Sequence, residues 1–201
     1  LTSNVPQVIN KNSDYAKSTT KLSEVAGYSL DGQTYIMNVT DVKGVEYEVK
    51  VNFSNTLPNG SEFEITQKSN GASFGPFTIY NPSDKDLSAA TADNITYKQL
   101  TDVISIATTF SSLNPTYIPG SGINLTEKQK YESALSAAQN LVEVGLDHNS
   151  TLRIKDLKNS ATKIEFSIYD ENSTKFDAAN RFRPSLTFNA NNALTIDDPH
   201  V

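Results

Sequence analysis

The chain has 201 residues, of which 37% are hydrophobic and none is cysteine, and 23 acidic against 17 basic residues give it a formal net charge of −6. Because the basic residues form no block, binding to nucleic acid or to an anionic membrane is disfavoured. The absence of cysteine excludes disulfides, thiolate metal sites and cysteine nucleophiles. No apolar run approaches the roughly 18 residues of a membrane-spanning helix, so the sequence predicts a soluble domain that is stabilised by its core or by assembly.

The first third of the chain is predicted to be a lead-in followed by antiparallel strands. Residues 1–17 show no hydrophobic periodicity and are expected to form an extended lead-in. Strict alternation of apolar and polar residues predicts a half-buried strand over 35–40 and a clearer strand over 45–53, joined by a short turn. Two further glycine-containing turns precede shorter strands around Phe63 and Phe77.

The middle of the chain changes to a helical period. Apolar residues at spacings of three and four predict a helix near 94–110, with Asp93 or Asn94 as its N-cap. A loop rich in Pro, Gly and Ser follows over 111–124. Thr126 and Gln129 then have the spacing of a capping box, which predicts a second helix over 126–145. Both helices are expected to be amphipathic.

The last third returns to strands. Residues 152–157 are expected to pair with 164–168 as a second hairpin across a turn at 158–160. Residues 171–184 are predicted to be a polar excursion, and 186–196 to supply one or two closing strands. This order predicts an α+β fold over 18–201, a single domain whose mainly antiparallel sheet carries the two helices on one face.

Candidate catalytic residues each have a simpler interpretation. His148 and His200 lack a second histidine at metal-ligand spacing, and no Gly-x-Ser-x-Gly nucleophile elbow is present. Two carboxylate pairs could in principle serve hydrolysis. Glu46 and Glu48 make the first pair but share the polar face of a strand, where both would point to water; the adjacent Asp197–Asp198 make the second.

The remaining loop motifs are weak. Five loop carboxylates could bind a hard cation but match no calcium-binding loop: Asp147, Asp170, Glu171, Asp197 and Asp198. No glycine pattern forms a phosphate cradle. The sequence therefore predicts a protein that is not an enzyme, with no catalytic, cofactor-binding or metal-binding residues.

Asn-x-Ser/Thr motifs are frequent because these residue types are common here. Two of them, at Asn149 and Asn172, carry an Asp two residues earlier, the acidic form preferred by bacterial N-glycosylation systems.

Several segments resemble the outer domain of hook-associated protein 3, the hook–filament junction branch of the flagellin family, in curved epsilon-type bacteria. The resemblance lies in residues 20–27 (TKLSEVAG), 29–32 (SLDG), 41–44 (DVKG), 95–104 (ITYKQLTDVI), 164–170 (IEFSIYD) and 188–199 (FNANNALTIDDP). The long heptad-patterned helices that define the family are absent from the sequence. The resemblance therefore concerns an inserted outer domain alone.

This resemblance implies a structural role in the bacterial flagellum. It implies export as an unfolded chain, an extracellular location, and partners that are other copies of the protein in a ring. Contacts with a neighbouring hook-associated protein and with flagellin would use segments outside this sequence.

Two other functions are left open by the residues themselves. One is an adhesin or phage-tail-type module whose loops at 111–124 and 171–184 contact a receptor or a glycan. The other is a hydrolase that uses an unrecognised pair of carboxylates.

Overall fold

The structure is a computed structural model that describes residues 1–3, 5–81, 88–122 and 124–171, and the backbone of 186–189. Within these residues the chain forms an α+β fold dominated by antiparallel strands, as the sequence predicts. The strands are β1 (Thr2–Ser3), β2 (Thr34–Thr40), β3 (Glu46–Asn52), β4 (Glu62–Gln67), β5 (Ser73–Thr78), β6 (Val142–Leu146), β7 (Leu152–Asp156), β8 (Glu165–Asp170) and β9 (Leu186–Asn189). The α-helices are α1 (Leu22–Ala26), α2 (Tyr97–Thr109) and α3 (Glu127–Gln139).

The strands join in one curled sheet with the order β5-β4-β3-β2-β8-β9-β1-β7-β6. A flat sheet of this width would measure about 38 Å between its edge strands. Nevertheless, α3 packs against both edge strands, β5 and β6, and also against α2. Since a helix of this length extends only about 20 Å, α3 can reach both edges only because the sheet curves around α2.

The concave side of the sheet forms the core, and its residues follow the predicted alternation. On β3, Tyr47, Val49 and Val51 are buried, whereas the side chains between them are exposed or half-buried. Phe110, at the end of α2, packs against this side, with its ring centroid 5.4 Å from that of Tyr47 and 6.3 Å from that of Phe77. These aromatic contacts join the end of the helix to β3 and β5, the two strands on either side of β4.

Helix α2 is buried on its polar side as well as on its apolar side. Twelve of its 13 residues are buried. The hydroxyls of Ser105, Thr108 and Thr109 each donate to the backbone carbonyl four residues earlier, at 2.8 Å. Because these hydroxyls are hydrogen-bonded within the helix, they enter the core at little cost in desolvation.

The two longer helices begin at capping boxes. Thr126 is the N-cap of α3 as predicted: its hydroxyl accepts from the backbone N–H of Gln129 at 3.2 Å. For α2, the expectation that Asp93 or Asn94 is the N-cap is wrong. Thr96 caps this helix, and its backbone N–H donates to Gln99 Oε1 at 2.8 Å.

The second helix is shorter than the predicted 126–145. It ends at Gln139, and Val142–Leu146 forms β6, which pairs antiparallel with β7. The apolar residues at 138, 141 and 142 fit the helical period, but Val142 and Val144 fit the strand period equally well. Residues 142–146 form a strand because they pair with β7, and the local sequence does not show which distant segment they will pair with.

Strand pairing near the chain ends also differs from the prediction. The expected hairpin between 152–157 and 164–168 does not form, because β7 pairs with β6 and β1, whereas β8 pairs with β2 and β9. The expected lead-in over 1–17 contributes β1 to the sheet, with Ser3 fully buried. Gln7 Oε1 also accepts a hydrogen bond of 2.7 Å from the Tyr97 hydroxyl. The lead-in is therefore built into the domain.

We expect Phe110→Ala to lower the free energy of unfolding by about 3–5 kcal/mol, because it removes a buried ring that several other rings contact. Urea denaturation followed by circular dichroism measures this loss. Leu57→Ala is the matched control, since Leu57 is 59% exposed, and it should change the stability by less than about 0.5 kcal/mol. Equal effects for the two variants would contradict the role assigned to Phe110.

Candidate functional site

Within the described residues, the glutamate pair and the histidine that the sequence singled out lie in different parts of the fold. Glu46 and Glu48 lie on the convex side of β3, and Glu48 is 4.0 Å from Lys50 Nζ. His148 is exposed in the turn between β6 and β7. His200, Asp197, Asp198 and Asn172 lie outside the described residues. Within the described part of the chain, no group of three or more His, Asp or Glu side chains could hold a metal ion.

Asp147 stabilises the turn that carries His148. Its Oδ1 accepts from the backbone N–H groups of Asn149 and Thr151, and its Oδ2 accepts from the Thr151 hydroxyl at 2.7 Å. Burial opposes ionisation, but these hydrogen bonds outweigh it and lower the pKa of Asp147. The threonine of the Asn149 glycosylation motif is therefore engaged in the folded turn.

Asp93 links three loops. Its carboxylate accepts from the Asn55 side-chain amide at 2.8 Å, from the Ser29 hydroxyl at 2.7 Å and from the Leu30 N–H at 3.1 Å. The hydrogen bonds from Asn55 and Ser29 are the main causes of its lowered pKa. With its oxygens occupied by these donors, Asp93 is a structural cross-link.

Asp102 is a buried acid between the two longer helices. It forms an ion pair with Lys98 one turn earlier in α2, and Gln139 Nε2 of α3 lies 3.5 Å away. Burial raises the pKa of Asp102, although the lysine and the amide oppose that shift. The side chain is only 8% exposed, so it is poorly placed to meet a substrate.

A shallow, open groove lies between α3 and the preceding loop, with a volume of about 610 Å³. Its walls are half apolar and half polar. It is lined by Tyr117, Leu125, Gln129, Glu132, Ser133, Ser136, Ala137 and Asn140. We call this feature the α3 groove.

The loop wall of the α3 groove is held in place by hydrogen bonds. A short 3₁₀ turn at Pro115–Tyr117 is capped by Asn114, and the Ser121 hydroxyl donates to the Thr116 carbonyl at 2.7 Å. Lys130 of α3 donates to the Ser121 carbonyl at 2.9 Å and to Glu127 Oε1 at 2.7 Å. The Lys130 side chain is only 4% exposed, so its charge is used to join loop and helix.

Only part of this site could be expected from the sequence. The loop at 111–124 is a predicted contact region, and it supplies Tyr117 to the groove. The other predicted contact loop, 171–184, lies outside the described residues apart from Glu171. The exposed face of α3 was not predicted as a site, although its small and polar residues recur at helical spacing.

The first and the last strand of the described residues are neighbours. Thr2 of β1 lies opposite Asn189 of β9, and Ser3 lies opposite Phe188, in an antiparallel pair. Within the described residues no helix is long and apolar enough to cross a membrane. Comparisons with protein-family models, curated proteins and solved structures found no match for this chain.

Asp102, which is buried, and Asp147, which is hydrogen-bonded in a turn, should make the stability of the chain depend on pH in opposite directions. A raised pKa means that Asp102 contributes stability below its unfolded-state pKa and loses that contribution as the pH rises through its folded-state pKa. We therefore expect Asp102→Asn to gain stability relative to the native chain between about pH 3 and pH 7. Urea unfolding at each pH measures the difference.

Asp147→Asn is the matched control for this experiment. The lowered pKa of Asp147 contributes stability above its unfolded-state pKa, and that contribution is lost as the pH falls through its folded-state pKa. The free energy of unfolding of Asp147→Asn should therefore fall further below that of the native chain as the pH rises. Parallel pH profiles for the two variants would contradict the opposite environments described for these acids.

Proposed function

We propose that this chain is a non-catalytic structural domain inserted in a longer bacterial surface protein. The observation that carries this proposal is the pairing of β1 with β9. A polypeptide continuing beyond both strands would enter and leave the domain at neighbouring points. Such an arrangement lets a domain be inserted without separating the segments on either side of it.

More specifically, we propose the surface-exposed outer domain of the hook–filament junction protein of the bacterial flagellum. The segments that carry the sequence resemblance support this, because two of them are in contact. The Leu22 N–H donates to the Ile95 carbonyl at 2.9 Å, and the Tyr97 N–H donates to the Thr20 carbonyl at 3.0 Å. Residues 20–27 and 95–104 therefore form one structural unit, which matches their joint resemblance.

The proposed location and partners follow from this role. The domain faces outward on an extracellular flagellum, and the junction protein forms a ring with other copies of itself. Contacts with the neighbouring hook-associated protein and with flagellin use heptad-patterned helices that are not part of this sequence. A chain without cysteine suits export in the unfolded state, since it cannot form disulfides before assembly.

Immunogold electron microscopy tests the assignment. Antibodies against the 201-residue chain are expected to label a narrow zone between hook and filament in the bacterium that encodes it. A strain lacking the gene is the control and should lose both the label and the attached filaments. Label along the cell surface or on another organelle would overturn the assignment, as would a complete open reading frame without heptad-patterned helices on both sides of the domain.

The isolated chain is expected to be monomeric, because the polymerising segments lie outside it. Size-exclusion chromatography with light scattering measures this directly. A stable, concentration-independent oligomer would show that the domain itself carries the main assembly contacts.

A further inference from the structure

We propose that the α3 groove binds a neutral oligosaccharide. This inference goes beyond the flagellar role and does not depend on it. It rests on the composition of the groove, on its length, and on the contacts that hold its walls together.

The charges of the groove disfavour an anionic ligand. None of its eight described lining residues is basic, and Glu132 contributes a carboxylate whose Oε1 lies 4.0 Å from Lys128 Nζ. Lys130 lies on the same helix, but its ammonium is buried and bonded to Ser121 and Glu127. A phosphate, sulfate or carboxylate group would therefore meet a carboxylate and no basic side chain among the described lining residues. The groove is suited to a ligand without net negative charge.

The helix side of the groove offers a row of hydrogen-bonding groups. Gln129, Ser133, Ser136 and Asn140 recur at three and four residues, which places them along one side of α3. The row is about 16 Å long. Hydroxyl and amide groups both donate and accept, as the hydroxyls of a sugar do. Gln129 offers its amide N–H groups, since its Oε1 accepts from the Thr126 backbone N–H at 2.9 Å. A short oligosaccharide lying parallel to the helix could bond to several of these groups at once.

The loop side offers an aromatic surface. Tyr117 is half-buried, so its ring is fixed in the wall while part of it remains exposed. The ring has an apolar face with a hydroxyl at its edge. A sugar ring has the matching character, since its C–H groups form an apolar face and its hydroxyls surround it. Leu125 and Ala137 extend this apolar surface.

The groove is also formed before any ligand arrives. Lys130, Ser121 and Thr116 hold the loop against the helix through the hydrogen bonds described above. Binding to a preformed site loses less conformational entropy, because the residues of the site are already ordered. Its volume of about 610 Å³ is open to solvent on one side, which suits an extended chain that is bound along its length.

Titration of the ¹⁵N-labelled chain tests the proposal. The probes are N-acetylchitotriose, a neutral β-1,4-linked trimer of N-acetylglucosamine, and lacto-N-neotetraose, a neutral sugar of the host type. Sialyl-lacto-N-neotetraose adds an acidic residue to the second probe. At least one neutral probe is expected to shift amide signals of 117–125 and of the exposed face of α3, and the acidic probe should bind more weakly than its neutral parent.

Three variants locate the binding. Tyr117→Ala should weaken it roughly tenfold, whereas Tyr117→Phe should retain most of it because the ring remains. Ser136→Trp should abolish binding by filling the groove, and the exposed position of Ser136 keeps the fold intact. Tyr15→Ala is the matched control, since Tyr15 is 54% exposed and is not among the lining residues; it should leave binding unchanged.

The outcomes separate this proposal from the flagellar one. If neither neutral probe shifts the groove signals at 10 mM, or if Ser136→Trp binds as well as the native chain, the carbohydrate site is overturned. Tighter binding of the acidic probe than of its parent would overturn the argument from charge. None of these results affects the immunogold assignment, which depends on where the protein is located.

Discussion

The fold depends on burying α2 from every side. A helix can be enclosed in this way only if its polar side chains have hydrogen-bonding partners inside the protein. In α2 the serine and threonine hydroxyls bond to the preceding turn, and Gln99 Nε2 donates to the Tyr80 carbonyl at 3.1 Å. The sheet can then curl around the helix, and α3 can close the gap between the two sheet edges.

A buried carboxylate fixes where α2 ends relative to the sheet. Asp41 is fully buried after β2. Its Oδ1 accepts from the N–H groups of Lys43 and Val45 in the β2–β3 turn, at 2.9 and 3.0 Å, and its Oδ2 accepts from the Ser111 N–H just beyond α2, at 3.0 Å. The same side chain therefore shapes a strand turn and holds the end of the helix. This connection keeps Phe110 against the rings of β3 and β5.

Local patterns predicted the first half of the fold well. Strands β3 and β4 alternate cleanly because one face of each is buried, and capping chemistry located the start of α3. The elements that sequence reasoning missed depend on long-range pairing. A two-residue strand such as β1 has no period to detect, and the end of α3 depends on whether Val142 pairs with Asp156. The α3 groove depends on Lys130 drawing a loop against a helix, which no periodic pattern reports.

The pairing of β1 with β9 also has a mechanical consequence. The N-terminal end of β1 lies beside the C-terminal end of β9, because Thr2 pairs with Asn189. Tension along a chain that runs through both strands would therefore pass between adjacent residues at the base of the domain. The other strands of the curled sheet and the helices lie outside that load path. A domain attached in this way can project from a longer chain without most of its core bearing the load.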